Sequence, residues 1–178
     1  MASNAGKETS TPAGQLVIHP LDPIFDEKSR VLVLGTMPSP KSREVRFYYG
    51  NPQNRFWRVM AAICGEEPPT CREECRALAL LHHFALDDVL KSCTIVGASD
   101  ASIRDAVPND LRARVLDHAP IRAIFCTGAA SHRLYRRYIE PELGIPATRL
   151  PSTSPANASW SLPRLVEAYG VVKRYLQE

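Results

Sequence analysis

The chain has 178 residues and a formal net charge of +3, with 44% hydrophobic and 23% charged residues. That is ordinary globular usage, enough for one domain with a real core, and it excludes a wholly disordered chain. The longest apolar runs, such as Val31–Leu34, fall far below the roughly 18 residues of a membrane span, so a soluble protein with no membrane partner is expected.

Residues 1–15, MASNAGKETSTPAGQ, are small, polar and rich in breakers. They lack the apolar core of a signal peptide and the arginines of a transit peptide, so they predict a disordered tail ahead of a single domain over 16–178. Arg30 to Gly35 reads as a buried strand of parallel type, a short β-branched and leucine run ending at a glycine. A long loop over 36–54 follows. Arg55 to Cys64 reads as a helix with Phe56, Val59, Met60 and Ile63 on one face, Asn54 as N-cap and Gly65 as its stop. Thr70 to Glu73 has the form of a capping box ahead of another helix, while Asp87 to Ile95 stays ambiguous. Pro108 to Asp117 looks helical, Ile121 to Gly128 is a second buried strand, Ala129 to Ile139 a basic-faced helix and Thr148 to Leu150 a short strand. The final helix is the clearest: Ser161 caps it, Pro163 sits near its start, and Leu162, Leu165, Val166, Tyr169, Val172 and Leu176 recur at helical spacing. Strands alternating with helices predict a mostly parallel sheet covered on both faces, with sites at the carboxyl ends of its strands.

Charge and cysteine usage narrow the class further. Of the 22 Lys and Arg, 17 are arginine, whose planar fork suits phosphate. Lys41, Arg43, Arg46, Arg55 and Arg58 cluster with aromatics against the single acid Glu44. That pattern hints at nucleic acid, although a solvated basic face explains it as well. The 5 cysteines form an odd set; with no secretory signal ahead of them, free thiols in a reducing cytoplasmic compartment (or nucleoid, or nucleus) are expected. Cys71 and Cys75 stand four apart without a CxxC pair, which reads as thiols rather than a metal site.

Two loops follow predicted strands and lead into helices: GTMPSPKS from Gly35, and LPSTSPANASW from Leu150. Their hydroxyls, rigid prolines and helix N-terminal amides are suited to phosphate oxygens, and no GxxxxGK[ST] motif competes with that reading. Ordinary turn chemistry explains each loop taken alone. Between them lies FYYGNPQNRFW, residues 47–57, with rings and amides concentrated around one turn.

Taken in order, Gly35-Thr36-Met37-Pro38-Ser39, the segment 47–57, and Leu150 to Asn157 resemble the uracil-DNA glycosylase superfamily, and within it the deoxyinosine (hypoxanthine) DNA glycosylase branch. Asp100 to Arg104 with Val107 to Asp110 resembles that branch too. The resemblance implies a three-layer α/β/α sandwich around a four-stranded parallel sheet and a monomer acting on DNA that holds a deaminated base, with neither metal nor cofactor. Such enzymes evert the damaged base and hold it by stacking and edge hydrogen bonds. It implies that Tyr49 is the stacking ring, with Tyr48 the structural one of the pair. It makes Asn54 the catalytic residue, its carbonyl aiming water at the anomeric carbon, although an Asn before Arg-Phe-Trp is also a plain N-cap. Gly35, Thr36, Met37, Asp100 and Ser102 become candidate base contacts, although Asp100 and Ser102 also read as simple caps for Ile103-Arg104. Pro38, Ser39, Ser42 and Arg43, with Ser152, Thr153, Ser154, Pro155, Ala156 and Asn157, become candidate DNA contacts, the last four resembling a loop that enters the minor groove.

Two departures matter. Met37 stands where many relatives carry Asp or Asn, and Ser152-Thr153-Ser154 where relatives often show a histidine. Uracil excision is thereby placed in doubt, the mechanism rests on Asn54, and no general acid is visible. No motif-linked lysine is present for lyase chemistry. Removal of uracil or another deaminated base, and damage binding without catalysis, stand as alternatives.

Overall fold

The computed structural model describes residues 12–177. Residues 1–11 of the expected tail thus lie outside the described residues, while Gln15, at its end, already pairs with Ile95 as the start of β1 (Gln15–Ile18). The strand read from Arg30 to Gly35 is β2 (Val31–Gly35), buried along its whole length. Alternation sends Val31 and Val33 into one core and Leu32 and Leu34 into the other. Each such side chain contributes roughly 1.5–3 kcal/mol on burial, which explains why a continuous apolar run occupies the middle of the sheet.

That sheet has four strands, all parallel, in the order β3 (Phe84–Asp88), β2, β6 (Ala123–Thr127), β7 (Ala147–Leu150). On one face lie α2 (Phe56–Cys64), α3 (Arg72–Leu81) and α6 (Leu162–Leu176), whose buried faces share a core with Val33, Leu86 and Phe125. On the other lie α4 (Ala129–Tyr138) and the short α5 (Glu140–Leu143), packed with Leu34, Ile124 and Cys126. The α/β/α layering and the four-stranded parallel sheet match expectation, as does Ser161, whose side chain accepts from Arg164 N at the start of α6.

The structure corrects local readings in three places and resolves a fourth that the sequence left open. The loop over 36–54 contains a helix, α1 (Pro40–Val45), capped by Ser39 with proline in its first turn. The ambiguous stretch 87–95 ends one strand and begins another, β4 (Leu90–Val96). With β5 (Ser99–Pro108) and β1 it forms a separate three-stranded antiparallel sheet. The helix expected over 108–117 shrinks to a π-helical turn at Arg112–Leu116. The capping box is displaced by one residue, since Glu74 rather than Glu73 accepts from Thr70 N and Oγ1, at 2.7 and 2.9 Å.

Candidate active site

At the carboxyl ends of β2, β3 and β6 the chain encloses a cavity of about 150 Å³. Gly35, Thr36 and Met37 form one wall, Tyr49 and Asn54 a second, and Ser152, Thr153 and Ser154 a third. Space of that size takes a ring such as benzene. The two loops singled out in the sequence therefore do meet, and the aromatic segment lies between them.

Arg55 holds them together. Its guanidinium donates to Thr153 O (3.4 Å), Ser154 O (3.0 Å), Asn157 O (3.1 Å) and, through Nη1, to Trp160 O. Its backbone N–H adds a bond to Thr153 O. One fork thus fixes the loop after β7 to the start of α2. Sequence reading placed Arg55 in the basic cluster, in the 47–57 segment and at the start of a helix, but not as this clamp.

The N-cap of α2 is Arg55, one residue after the Asn54 expected there, and it makes no side-chain capping bond; Asn54 Oδ1 instead accepts from Phe56 N, two residues on, at 2.9 Å. The same oxygen accepts from Thr153 Oγ1 at 2.8 Å. The amide is therefore held in one plane at the cavity wall, half-buried, with a rotatable hydroxyl as one of its two donors. Asn54 thus braces the turn ahead of α2 and lines the cavity as well.

Tyr48 and Tyr49 both line the cavity but differ in surroundings. Tyr48 is 3% exposed and donates to Asp87 Oδ1 at 3.2 Å. Tyr49 lines the cavity with φ = 52°, a backbone conformation costly for an aromatic residue. Phe56 stacks on it at 3.8 Å between centroids, and its hydroxyl lies 3.2 Å from Thr127 Oγ1. Burial first, then the Asp88 charge, raises its phenol well above the ordinary value. Glycine at position 35 is a steric requirement, because a Cβ there would lie 2.3 Å from Asp88 Oδ1 and 3.4 Å from Tyr49 Oη.

The remaining candidates separate. Asp100 reaches the cavity from β5, accepting from Thr36 Oγ1 at 3.4 Å, and desolvation followed by the Asp88 charge raises its carboxyl. Ser102 does not reach it; its hydroxyl donates to Ser99 O and accepts from Val96 N, bracing the β4–β5 hairpin. Pro38, Ser39 and Ser42 line the cavity, but Ser42 is 3% exposed and accepts from Gly50 N, which makes it a brace for the aromatic turn. Arg43 donates to Pro38 O at 2.8 Å. Ser152 and Ser154 accept backbone N–H groups from Ser154 and Ala156, which leaves each hydroxyl hydrogen to donate elsewhere. Pro155 and Ala156 are exposed. Asn157 donates its amide back to Ser152 O, so that hydrogen is spent on the loop.

A larger open groove of about 790 Å³ adjoins the cavity, sharing Ala98, Asp100, Ser152 and Ser154 with it, and Arg149 and Trp160 line its far side.

Sequence reading missed Asp87 and Asp88 altogether. Asp87 is paired with Arg114 (Nε to Oδ2 2.7 Å, Nη2 to Oδ1 3.0 Å). Asp88 lines the cavity and takes His19 Nε2 on Oδ2 at 2.8 Å. Two adjacent aspartates ending a strand before an apolar run were the available signal.

A four-stranded parallel sheet between helix layers, with a cavity and an adjoining open groove at its carboxyl edge, defines an α/β/α protein whose site lies at the strand ends. The family model described as the uracil DNA glycosylase superfamily matches residues 23–173. A protein of Methanosarcina acetivorans named hypoxanthine DNA glycosylase is 31% identical over 139 residues, 78% of this chain and 87% of that one. One of Methanosarcina barkeri with the same name is 36% identical over 84 residues, 47% of this chain and 53% of that one. A solution NMR structure from Methanosarcina acetivorans, titled provisionally as a uracil DNA glycosylase, superposes with a TM-score of 0.76 at 29% identity, over 92% of this chain and all of that one. The chain belongs to the uracil DNA glycosylase superfamily and is, in class, a hydrolytic DNA N-glycosylase. Among the described residues no helix is long and apolar enough to cross a membrane.

Proposed function

We propose that the protein is a monofunctional DNA glycosylase that removes hypoxanthine from deoxyinosine. The observation that carries this reading is the single cavity on which Tyr49, Asn54 and Thr153 converge, joined to an open groove of about 790 Å³. The everted base enters the cavity and lies on the face of Tyr49 that Phe56 leaves uncovered. Stacking of that kind is worth about 1–3 kcal/mol per base and offsets part of the cost of unpairing. Thr36 and Asp100 meet the base edge, and the hydroxyls of Ser152 and Ser154 meet phosphate.

Asn54 positions the water. Its Oδ1 is occupied by Phe56 N–H and the Thr153 hydroxyl. Rotation of that hydroxyl exchanges one donor for a water molecule, which the amide then aims at C1′ as the sugar develops oxocarbenium character. Met37 offers no polar group for this task.

A duplex carrying one deoxyinosine tests the reading. Base release by the intact chain, abolished in Asn54→Ala, is the expected result. Salt-sensitive binding without release identifies a damage-binding protein instead, and faster release of uracil in a lesion panel moves the assignment to that base.

A further inference from the structure

Neither stacking nor water positioning uses the buried pair Asp88 and His19, whose side chains are 6% and 1% exposed. Asp88 ends β3 directly beside Gly35. Its Oδ2 is engaged by His19 Nε2, while Oδ1 has no hydrogen-bond partner among the described residues and borders the cavity through the gap that a side chain at position 35 would fill. The imidazole tautomer is fixed: Leu21 N donates to Nδ1 at 3.3 Å, so a neutral ring carries its hydrogen on Nε2 and donates it to Asp88. His19 precedes the family segment 23–173, and β1, pairing with β4, brings it there.

A departing purine takes the electron pair of the C1′–N9 bond and leaves more easily when a ring nitrogen gains a proton. Asn54 and Thr36 are not acids at any working pH. Among the described residues two carboxyl groups border the cavity, and Asp100 is the more exposed, with the Arg133 charge favouring its ionised form. We propose that Asp88, positioned by His19, is the proton donor to the leaving base, an inference that rests on the glycosylase reading. The C1′–N9 bond breaks with its pair going to the base, and the Oδ1 hydrogen passes to a ring nitrogen. Water oxygen bonds C1′, and the proton it sheds returns to the Asp88 carboxylate through solvent.

The surroundings suit a group that keeps its proton. Desolvation raises the Asp88 carboxyl, and the Asp87 charge adds to this, while the His19 hydrogen bond and charge and the Arg114 charge oppose it. Asp100 from β5 and the Tyr49 hydroxyl face the same cavity.

The test is single-turnover release of hypoxanthine from a one-lesion duplex between about pH 5 and about pH 9. Wild type loses rate as pH rises through the Asp88 titration. Asp88→Asn lowers the rate by about 10²–10⁴-fold and abolishes that limb, while affinity for a duplex holding a non-hydrolysable 2′-fluorinated deoxyinosine stays within about twofold. His19→Ala removes a donor that favours the carboxylate, so the limb moves to higher pH, and His19→Gln, which keeps an N–H, restores it. An Asp88→Asn rate within about threefold of wild type, an unmoved limb in His19→Ala, or activity lost on the acid side instead, overturns the proposal. Should Asp88→Asn fail to fold, the two His19 variants read the same limb. Absence of release by wild type, or full release by Asn54→Ala, would strike the glycosylase reading instead.

Discussion

Arg55→Ala should be the most informative single truncation outside the reacting groups. Four carbonyls of the loop after β7, those of Thr153, Ser154, Asn157 and Trp160, share one guanidinium. A hydrogen bond to a charged group is worth about 1.5–3 kcal/mol net, but the bonds are not additive, and this loop is exposed enough at Pro155 and Ala156 for water to replace some of them. A total of about 3 kcal/mol follows, and at about 2–4 °C per kcal/mol for a chain of this size the melting temperature falls by about 6–12 °C. Lysine has one ammonium and no planar fork, so Arg55→Lys should recover less than half of that loss. The functional effect travels through Thr153, whose hydroxyl sets the plane of Asn54. A displacement near 1 Å costs on the order of 10²-fold in rate, and single-turnover release should fall by about that factor below the melting transition. Calorimetry and release kinetics on the same preparations check both parts. A melting temperature within about 2 °C of wild type with an undiminished rate would show that the loop holds itself, and the assignment of Arg55 as its clamp would be wrong.

Gly35→Ala should cost about 1–3 kcal/mol of stability, and should lower base release more than it lowers affinity for undamaged DNA, because its methyl meets Asp88 Oδ1 at 2.3 Å inside the cavity; equal losses in both assays would argue against a base-sized site there. Tyr49→Phe keeps the ring and loses only the Thr127 contact, so release should stay within about fivefold of wild type, whereas Tyr49→Ala loses stacking of about 1–3 kcal/mol, or about 5- to 150-fold; gel-based release assays separate the two. Burial holds the Asp88 carboxyl above its ordinary value, so the folded state binds that proton more tightly than the unfolded state does. The resulting stability is complete below the unfolded carboxylate range and is lost as pH rises through the folded value. Asp88→Asn should therefore melt above wild type at about pH 8 and show no gain at about pH 3.5, a comparison that thermal scans in matched buffers provide.

Local pattern carried the sequence reading where burial is continuous or turn chemistry is strong. β2 and β6 announced themselves as apolar runs ending at Gly35 and near Gly128, and α6 through Ser161, Pro163 and its spaced leucines. The site was legible to the extent that its residues lie in motifs: Asn54, Tyr49 and the loop at 152–154 do share one cavity. What stayed hidden depends on partners far away in sequence. Asp87 and Asp88 contradict strand propensity, and only Tyr48, Arg114 and His19, at separations of 39, 27 and 69 residues, make them tolerable in a buried strand. The β4–β5 hairpin was obscured for a related reason: its second strand is largely exposed, so no apolar alternation marks it, and Ser102 was assigned to the base instead of to the hairpin.

Met37 gives these observations a common cause. An apolar side chain packs at the position where many superfamily members carry an acid or amide, half-buried against the core that contains Leu34 and Cys126. Polar side chains reach the cavity from other walls instead: Asn54, bonded to Thr153, and Asp88, bonded to His19. Tyr49 lines the same cavity in a backbone conformation that costs about 1–3 kcal/mol and persists only because surrounding contacts over-determine it. Those contacts are Phe56 on its ring, Thr127 on its hydroxyl, and the close approach allowed by Gly35. Asparagine at position 37 is smaller than methionine and would place its amide on the first-motif wall of the cavity, without the Thr153 hydroxyl that holds the Asn54 amide in its plane. Met37→Asn should therefore not rescue Asn54→Ala, whereas a site organised around the first motif would recover.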